Sequence, residues 1–288
     1  MIKSMTGYAR VERVGDWGRM TWELRSVNHR YLDVQFRLPD EFRALEAELR
    51  GVAGARISRG KIECALRYQR EAAGTERIEL DAQRLQQLKQ ALDEVNLAFG
   101  ATTAPEPTRL LAFPGVIREA QSDFAPLLTQ ARSLFDEAIG QFTAARESEG
   151  ARLSQFLVER CEALADLVAQ IRARQPEVRE QWLERLQQRC RDLGVEVDAQ
   201  RLAQEIVLAA QRLDVEEEMS RLASHLIEVR QVLDRDEAVG RRLDFLMQEL
   251  NREANTTASK SQDAQMTRCA VDMKVIIEQM REQVQNIE

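Results

Sequence analysis

Met20-Thr-Trp-Glu-Leu-Arg-Ser-Val27 alternates at period two, with Met20, Trp22, Leu24 and Ser26 on one face and Thr21, Glu23 and Arg25 on the other. A helix would scatter these apolar residues around its circumference, whereas a strand offers one face to a core and one to water. Leu32, Val34, Phe36 and Leu38 continue the alternation, and Asp16-Trp-Gly18 marks a hairpin turn before it. Pro39-Asp40 opens a helix with Phe42, Leu45, Leu49 and Val52 at helical spacing. Ile62, Cys64, Leu66 and Tyr68 then alternate as a closing strand.

From residue 81 the pattern turns helical. Asp81 caps a helix through Leu85, Leu88, Leu92 and Val95, and a Thr- and Pro-rich loop follows at 101–108. Phe113-Pro-Gly-Val116 reads as a turn. Residues 126–175 read as a long helical run, with Gly140 or Gly150 as points of interruption and Pro176 as its end. Asp198 caps the next helix, whose face is Leu202, Ile206, Ala209 and Leu213. The phase then jumps to Val215, Met219, Leu222, Leu226, Val229 and Leu233, which requires a fresh helix start near Asp214. Met273, Ile277, Met280, Val284 and Ile287 form a 4-3-4-3 stripe suited to packing on another helix or subunit. The fold class expected is α+β, an N-terminal strand-rich region with one helix followed by a long, mostly α-helical region. The expected domains are 1–100, a linker at 101–125, and 126–288.

The 288 residues carry a net charge of −7, unevenly spread. Residues 1–70 hold fourteen Lys or Arg against nine Asp or Glu, and the acidic excess lies in the remainder. A basic part on an acidic body steers a polyanion to one face, although charge asymmetry between domains is also common. Cys64, Cys161, Cys190 and Cys269 have no CxxC spacing, which argues against a disulfide scaffold and a thiolate zinc site. With no leader and no apolar run near the length of a membrane span, the sequence reads as a soluble, cytoplasmic protein. No phosphate-binding GxxxxGK[ST] loop, GxGxxG, HExxH or GxSxG motif is present.

Three polar constellations remain. In the stretch 240–260, Asp244, Gln248, Glu249, Arg252, Glu253, Asn255 and Lys260 crowd a helix whose apolar residues leave one strongly polar face. Glu249 and Glu253 are four apart and so share a side, a pair suited to Mg²⁺ or Mn²⁺. Arg252 and Lys260 suit a phosphate, and Asn255, four from Asn251, suits a phosphate, 2′-hydroxyl or base edge. The alternative is a helix-end network of ordinary Arg–Glu pairs. In the block 214–225, Asp214 and Glu217 have the spacing of a capping box, while Glu218, Arg221 and His225 share one stripe. Histidine as a residue type can give and take a proton in catalysis, which makes the one on this stripe a candidate. Finally Arg25, Asn28, His29, Arg30 and Asp33 gather around a break in the strand pattern, with Tyr31 between them and Arg59 and Lys61 on the later strand. Arg with an interleaved Tyr suits RNA backbone and base stacking; a solvated sheet face is the plain alternative.

Five blocks resemble one family in order along the whole chain: Met1-Ile-Lys-Ser-Met-Thr-Gly-Tyr-Ala-Arg10, Glu23-Leu-Arg-Ser-Val-Asn-His-Arg-Tyr-Leu-Asp33, Arg59-Gly-Lys-Ile-Glu63, Asp214-Val-Glu-Glu-Glu-Met-Ser-Arg-Leu-Ala-Ser-His225 and Arg281-Glu-Gln-Val-Gln-Asn-Ile-Glu288. Together with the 240–260 stretch they resemble the YicC/YloC family of bacterial proteins. The one departure is Thr257-Ala258, where a more apolar pair is expected. The resemblance implies an endoribonuclease that assembles as a homo-oligomer, a hexamer around a central opening. RNA is then the expected partner, with other RNA-decay enzymes as further candidates and no membrane.

Two mechanisms stay open. In one, Glu249 and Glu253, with Glu217, Glu218 or Asp244, hold a divalent ion that activates water; the abundance of acidic residues favours it. In the other, the RNA 2′-hydroxyl attacks with His225 or His29 as general base or acid. Arg252 joins Glu249, Glu253, His225 and Glu218 as a catalytic candidate. Arg25, Asn28, His29, Arg30, Arg59, Lys61, Arg221, Asn255 and Lys260 are the RNA-binding candidates. The rivals are a non-catalytic adaptor that delivers RNA to another nuclease, and a helical scaffold without RNA affinity.

Overall fold

A computed structural model describes residues 2–70, 79–100, 106–118, 124–192, 199–235 and 237–288. The alternating segments form four strands, β1 (Gly7–Gly15), β2 (Gly18–Val27), β3 (Leu32–Arg37) and β4 (Gly60–Gln69), in the order β1-β2-β4-β3. β1 to β2 is a tight hairpin closed by Asp16 and Trp17, as the Asp-Trp-Gly signal predicts, with Gly18 at φ 113°. β3 pairs with β4 in parallel, so the chain must cross over between them. It does so through a 3-10 turn (Asp40–Leu45) and α1 (Glu46–Arg56), which bury Phe42, Leu45, Leu49 and Ala53 against the sheet.

A two-stranded antiparallel ribbon, β5 (Glu79–Leu80) with β6 (Ile117–Arg118), brackets α2 (Ala82–Phe99) and the short α3 (Pro107–Leu111). Asp81 caps α2 as expected, accepting from the Arg84 amide at 2.8 Å. Most of the predicted 101–108 loop and the predicted Asp198 cap lie outside the described residues.

One helix dominates the rest. α4 (Ala125–Asp192) has 68 residues, a length of about 100 Å. Neither Gly140 nor Gly150 interrupts it, and Pro176 lies inside it rather than at its end. The expectation fails there because tertiary contacts on both sides outweigh the lost amide: Ile171 and Val178 are buried while Pro176 itself is exposed. α5 (Ala199–Leu213), α6 (Glu216–Leu233), α7 (Gly240–Lys260) and α8 (Ala264–Val284) follow. Asp214 and Val215 break α5 from α6, as the phase jump requires.

Two apolar cores result. In the first, Trp22, Leu24, Ile62 and the α1 residues meet Leu134, Phe135, Ile139 and Phe142 from the first part of α4. Trp22 packs edge-on to Phe135 and donates its indole N–H to the Ala131 carbonyl at 2.9 Å. The second core is a four-helix bundle of the later part of α4 with α6, α7 and α8. The long helix, expected to belong whole to a helical domain, is thus shared by both cores. The 273–287 stripe packs on other helices of the bundle, with Met273, Ile277, Met280, Val284 and Ile287 all buried.

The two ends of the described chain knit these cores together. Ser4 and Met5 run antiparallel to residues 286–288, with Met5 N–H to Asn286 O at 2.7 Å and Glu288 N–H to Lys3 O at 2.9 Å. Arg146, buried in α4, donates to Ser4 O at 2.6 Å and pairs with Glu288, which also accepts from Ser58. Gly150 admits this clasp: a Cβ there would stand 2.1 Å from the Ile2 carbonyl oxygen. Among the described residues no helix is long and apolar enough to cross a membrane.

Candidate functional site

α6 and α7 run antiparallel, and three ion pairs fix their register: Lys260 Nζ to Glu218 Oε1 at 2.7 Å, Arg221 Nη1 to Glu253 Oε1 at 3.4 Å, and Arg242 to Glu228. The helices present this polar seam because their apolar stripes are used up inside, by Met219, Leu222, Leu226 and Val229 on α6 and by Leu243, Leu246, Leu250 and Ala254 on α7. His225 follows Arg221 by one turn on α6, and Glu249 precedes Glu253 by one turn on α7. The register therefore sets His225 and Glu249 level with each other, between two ion-paired steps. Arg252 stands three residues from Glu249 on the exposed side. Among the described residues, the side chains of His225, Glu249 and Arg252 make no hydrogen bond or ion pair.

The paired members are differently placed. Glu218 and Glu253 are buried, and Lys260 also donates to the Asp214 carbonyl at 3.0 Å. The second oxygen of Glu218 is buried without a partner among the described residues, a rare condition for a carboxylate. Arg221 bridges Glu253 and Glu217, and these carboxylates, Glu217 first, hold its guanidinium above the usual range. The capping box expected of Asp214 and Glu217 does not form. α6 begins at Glu216, so Asp214 Oδ1 accepts from the Glu216 amide at 2.9 Å and from Gln175 at 3.0 Å. Those bonds, the Glu216 amide foremost, hold the Asp214 carboxyl below its usual value.

The four carboxylates expected to share a metal do not form one shell. Glu217 and Glu253 both lie on Arg221, whose positive charge occupies the place of a cation. Asp244 belongs to another stripe of α7, where it accepts from Gln248 at 2.9 Å, and Asn255 continues that stripe with a 3.4 Å bond to Asn251. Among the described residues no group of three or more His, Cys, Asp or Glu is set to hold a metal ion. Thr257, the departure from the apolar pair, is buried with its hydroxyl on the Glu253 carbonyl at 2.8 Å.

The basic N-terminal candidates lie at one end of the sheet. The face turned away from α4 carries Tyr8, Arg25 and Glu63 in one cross-strand row, and Val27, Lys61 and Asp33 in the next. Most basic residues of this face are matched, as Arg37 with Glu63 and Arg67 with Glu23, both at 3.6 Å. Arg25 and Lys61 have no such partner among the described residues. The break after Val27 is a loop, as expected. In it Arg30 lies over the Tyr31 ring at 5.3 Å, and His29 Nδ1 sits 2.9 Å from the Tyr31 carbonyl.

Two candidates here also bond to backbone carbonyls. Asn28 donates to the Gln285 carbonyl at 2.6 Å, tying the loop to the clasp, and Arg59 donates to the His29 carbonyl at 3.2 Å. Sequence reasoning passed over Tyr8, which is 53% exposed beside Arg25, and Arg152, which lines a groove with both of them. Only the strand alternation, carried one residue earlier than Ala9, signals Tyr8.

Comparison with known proteins falls along the same architecture. Residues 2–155 match the family described as "Endoribonuclease YicC-like, N-terminal region", and residues 171–288 match "Endoribonuclease YicC-like, C-terminal". The division lies within α4, in the part that packs in the bundle, where Leu157, Cys161, Leu164 and Val168 are buried. A protein of Haemophilus influenzae named "Probable endoribonuclease YicC" is 42% identical over 288 residues, covering 100% of both chains. One of the same name from Clostridioides difficile is 29% identical over 295 residues, again covering 100% of both.

Proposed function

Because the chain belongs to the YicC-like endoribonuclease family, we propose that it cleaves RNA internally, with its chemistry on the α6–α7 seam and its sheet end as a platform for the strand. One observation carries this reading: the seam pairs off Glu218, Arg221, Glu253 and Lys260 and, among the described residues, leaves His225 and Glu249 unpaired at one level, with Arg252 unpaired three residues further along α7. Side chains that only hold two helices together would be paired like their neighbours.

In this arrangement His225 takes the proton of a 2′-hydroxyl, and Glu249 beside it stabilises the imidazolium that forms. The 2′-oxygen bonds to phosphorus as the bond to the 5′-oxygen breaks, and the leaving oxygen takes a proton from water. Arg252 stands where it balances charge growing on the phosphoryl oxygens, and Arg221 adds a second, fixed guanidinium. Arg25, Lys61 and the Arg30–Tyr31 pair hold neighbouring nucleotides by phosphate contact and stacking. Lys260 is a positioning residue that fixes the α6–α7 register through Glu218.

A divalent ion is the second reading, favoured by the open carboxylate of Glu249 with Glu253 one turn away. Mg²⁺ is often held by one or two carboxylates plus substrate phosphate. Here Glu253 would have to leave Arg221, so the present arrangement of the two carboxylates does not fit the ion. Self-association completes the reading, supported by exposed Val271 and Val275 one turn apart on α8.

Incubating the purified chain with an end-labelled structured RNA, with and without EDTA, and mapping the product ends tests the reading. Cuts that persist in EDTA and end in 2′,3′-cyclic phosphate support the histidine route. Cuts abolished by EDTA and ending in 3′-hydroxyl transfer the chemistry to the carboxylates. RNA bound but never cut makes the chain an adaptor.

A further inference from the structure

A cavity of about 320 Å³ opens where α4, α5 and the turn between α7 and α8 meet. Val178, Val207 and Met266 give it apolar walls, and Arg179, Lys260 and Asp214 add charge. Among the described residues Arg179 makes no hydrogen bond, and neither does the side chain of Gln262, which also lines the space. The two amide and guanidinium groups are therefore available to a ligand. Lys260 is already held by Glu218, so Arg179 is the lining cation whose side chain makes no hydrogen bond among the described residues; it offers a guanidinium to an anion, and the apolar walls suit one with a flat or aliphatic body. Among the described residues the second oxygen of Asp214 accepts no hydrogen bond, and it can accept from an N–H on that body.

We propose that this cavity holds one nucleotide of the RNA, its base between Val178, Val207 and Met266 and its phosphate on Arg179. The identity of the ligand rests on the RNA-cleavage reading. Asp214 accepts from the base edge, as carboxylates do from exocyclic amino groups, which gives the cavity a preference among bases. Lys260 links the cavity to the seam, because the same ammonium that lines it bonds Glu218. From Glu218 to His225 is seven residues of α6, a rise of about 10 Å, a distance neighbouring nucleotides of one strand can cover. The cavity thus selects which phosphodiester stands before His225 and Glu249.

The test is calorimetric titration of the full chain with each of the four ribonucleoside 5′-monophosphates, and with inorganic phosphate, in wild type, Arg179→Ala and Ala210→Trp. Ala210 lines the cavity from α5 and is only partly buried, so a bulky side chain there fills the space without entering a core. The proposal expects at least one monophosphate to bind more tightly than inorganic phosphate. It expects Arg179→Ala to weaken that binding by about tenfold, the worth of one charge-assisted hydrogen bond, and Ala210→Trp to abolish it. No binding by wild type, binding no tighter than inorganic phosphate, or equal binding by both variants would overturn it. Should monophosphates bind and both variants lose them while RNA is never cut, the nucleotide site stands and the cleavage reading falls.

Discussion

Glu249 and Glu253 are one helical turn apart, alike in chemistry and opposite in situation. Glu253 is 3% exposed and carries an ion pair to Arg221, whereas Glu249 is partly exposed and unpaired among the described residues. Burial of a carboxylate is tolerable only with a partner, so Glu253 serves the fold before any chemistry. Glu253→Gln should lower unfolding free energy by about 1–3 kcal/mol in a denaturant titration, less than a fully buried pair because Arg221 is half exposed. Glu249→Gln should leave the same titration within about 0.5 kcal/mol of wild type. The sequence displayed both residues on one helix side, and spacing alone could not separate them. Which carboxylate is paired depends on Arg221, thirty-two residues away in sequence. The polar stripe that carries His225 on α6 was legible from the spacing of Glu218, Arg221 and His225, whereas its pairing across to α7 was not, because that depends on how the two helices pack.

Among the elements, α4 is the one that propensity misreads. Its proline removes an amide and forces its ring toward the preceding turn, yet the helix continues because it is gripped by the bundle on either side of Pro176. Pro176→Ala should therefore raise the midpoint of thermal unfolding, with a gain of up to about 3 kcal/mol. A fall in the midpoint would mean that the proline ring itself is needed for packing. α8 offers the converse case, a helix start fixed by one residue. Asp263 accepts from the Gln265 and Met266 amides at 3.1 and 3.0 Å and from Arg174 at 3.1 Å, and the Arg174 bond foremost holds its carboxyl below the ordinary value. Asp263→Ala should cost about 1 kcal/mol at pH 7. A carboxyl whose folded value is depressed contributes fully above its unfolded value and loses that contribution as pH falls through the folded one. The gap between variant and wild type should accordingly close below about pH 4. Strand alternation, the hairpin turn and the Asp81 cap were readable because each is a local pattern. The path of α4 beyond Pro176 was not, and for the 273–287 stripe the choice between another helix and another subunit was not, since distant packing decides both.

Across the whole molecule, sheet and bundle are joined by α4 and by the clasp of residues 2–5 with 286–288 over Arg146. Four of the family-like blocks converge there, through Ser4, Asn28, Arg59-Gly60 and Glu288, so much of the resemblance marks a structural knot. Arg146→Ala leaves Glu288 buried without its cation and should cost about 3–5 kcal/mol, read as a shift of the denaturation midpoint. The clasp holds the basic sheet end and the acidic bundle in one body, which a strand crossing both would need. The central claim is that His225 and Glu249, level with each other on the seam, cut that strand. The most direct measurement is single-turnover cleavage of an end-labelled RNA by wild type, His225→Ala and Glu249→Gln, each checked to be folded and to bind the RNA. The account predicts cleavage by wild type and a loss of about 10²–10⁴-fold in His225→Ala with RNA still bound, Glu249→Gln falling in the same direction. Cleavage by His225→Ala at the wild-type rate would contradict it.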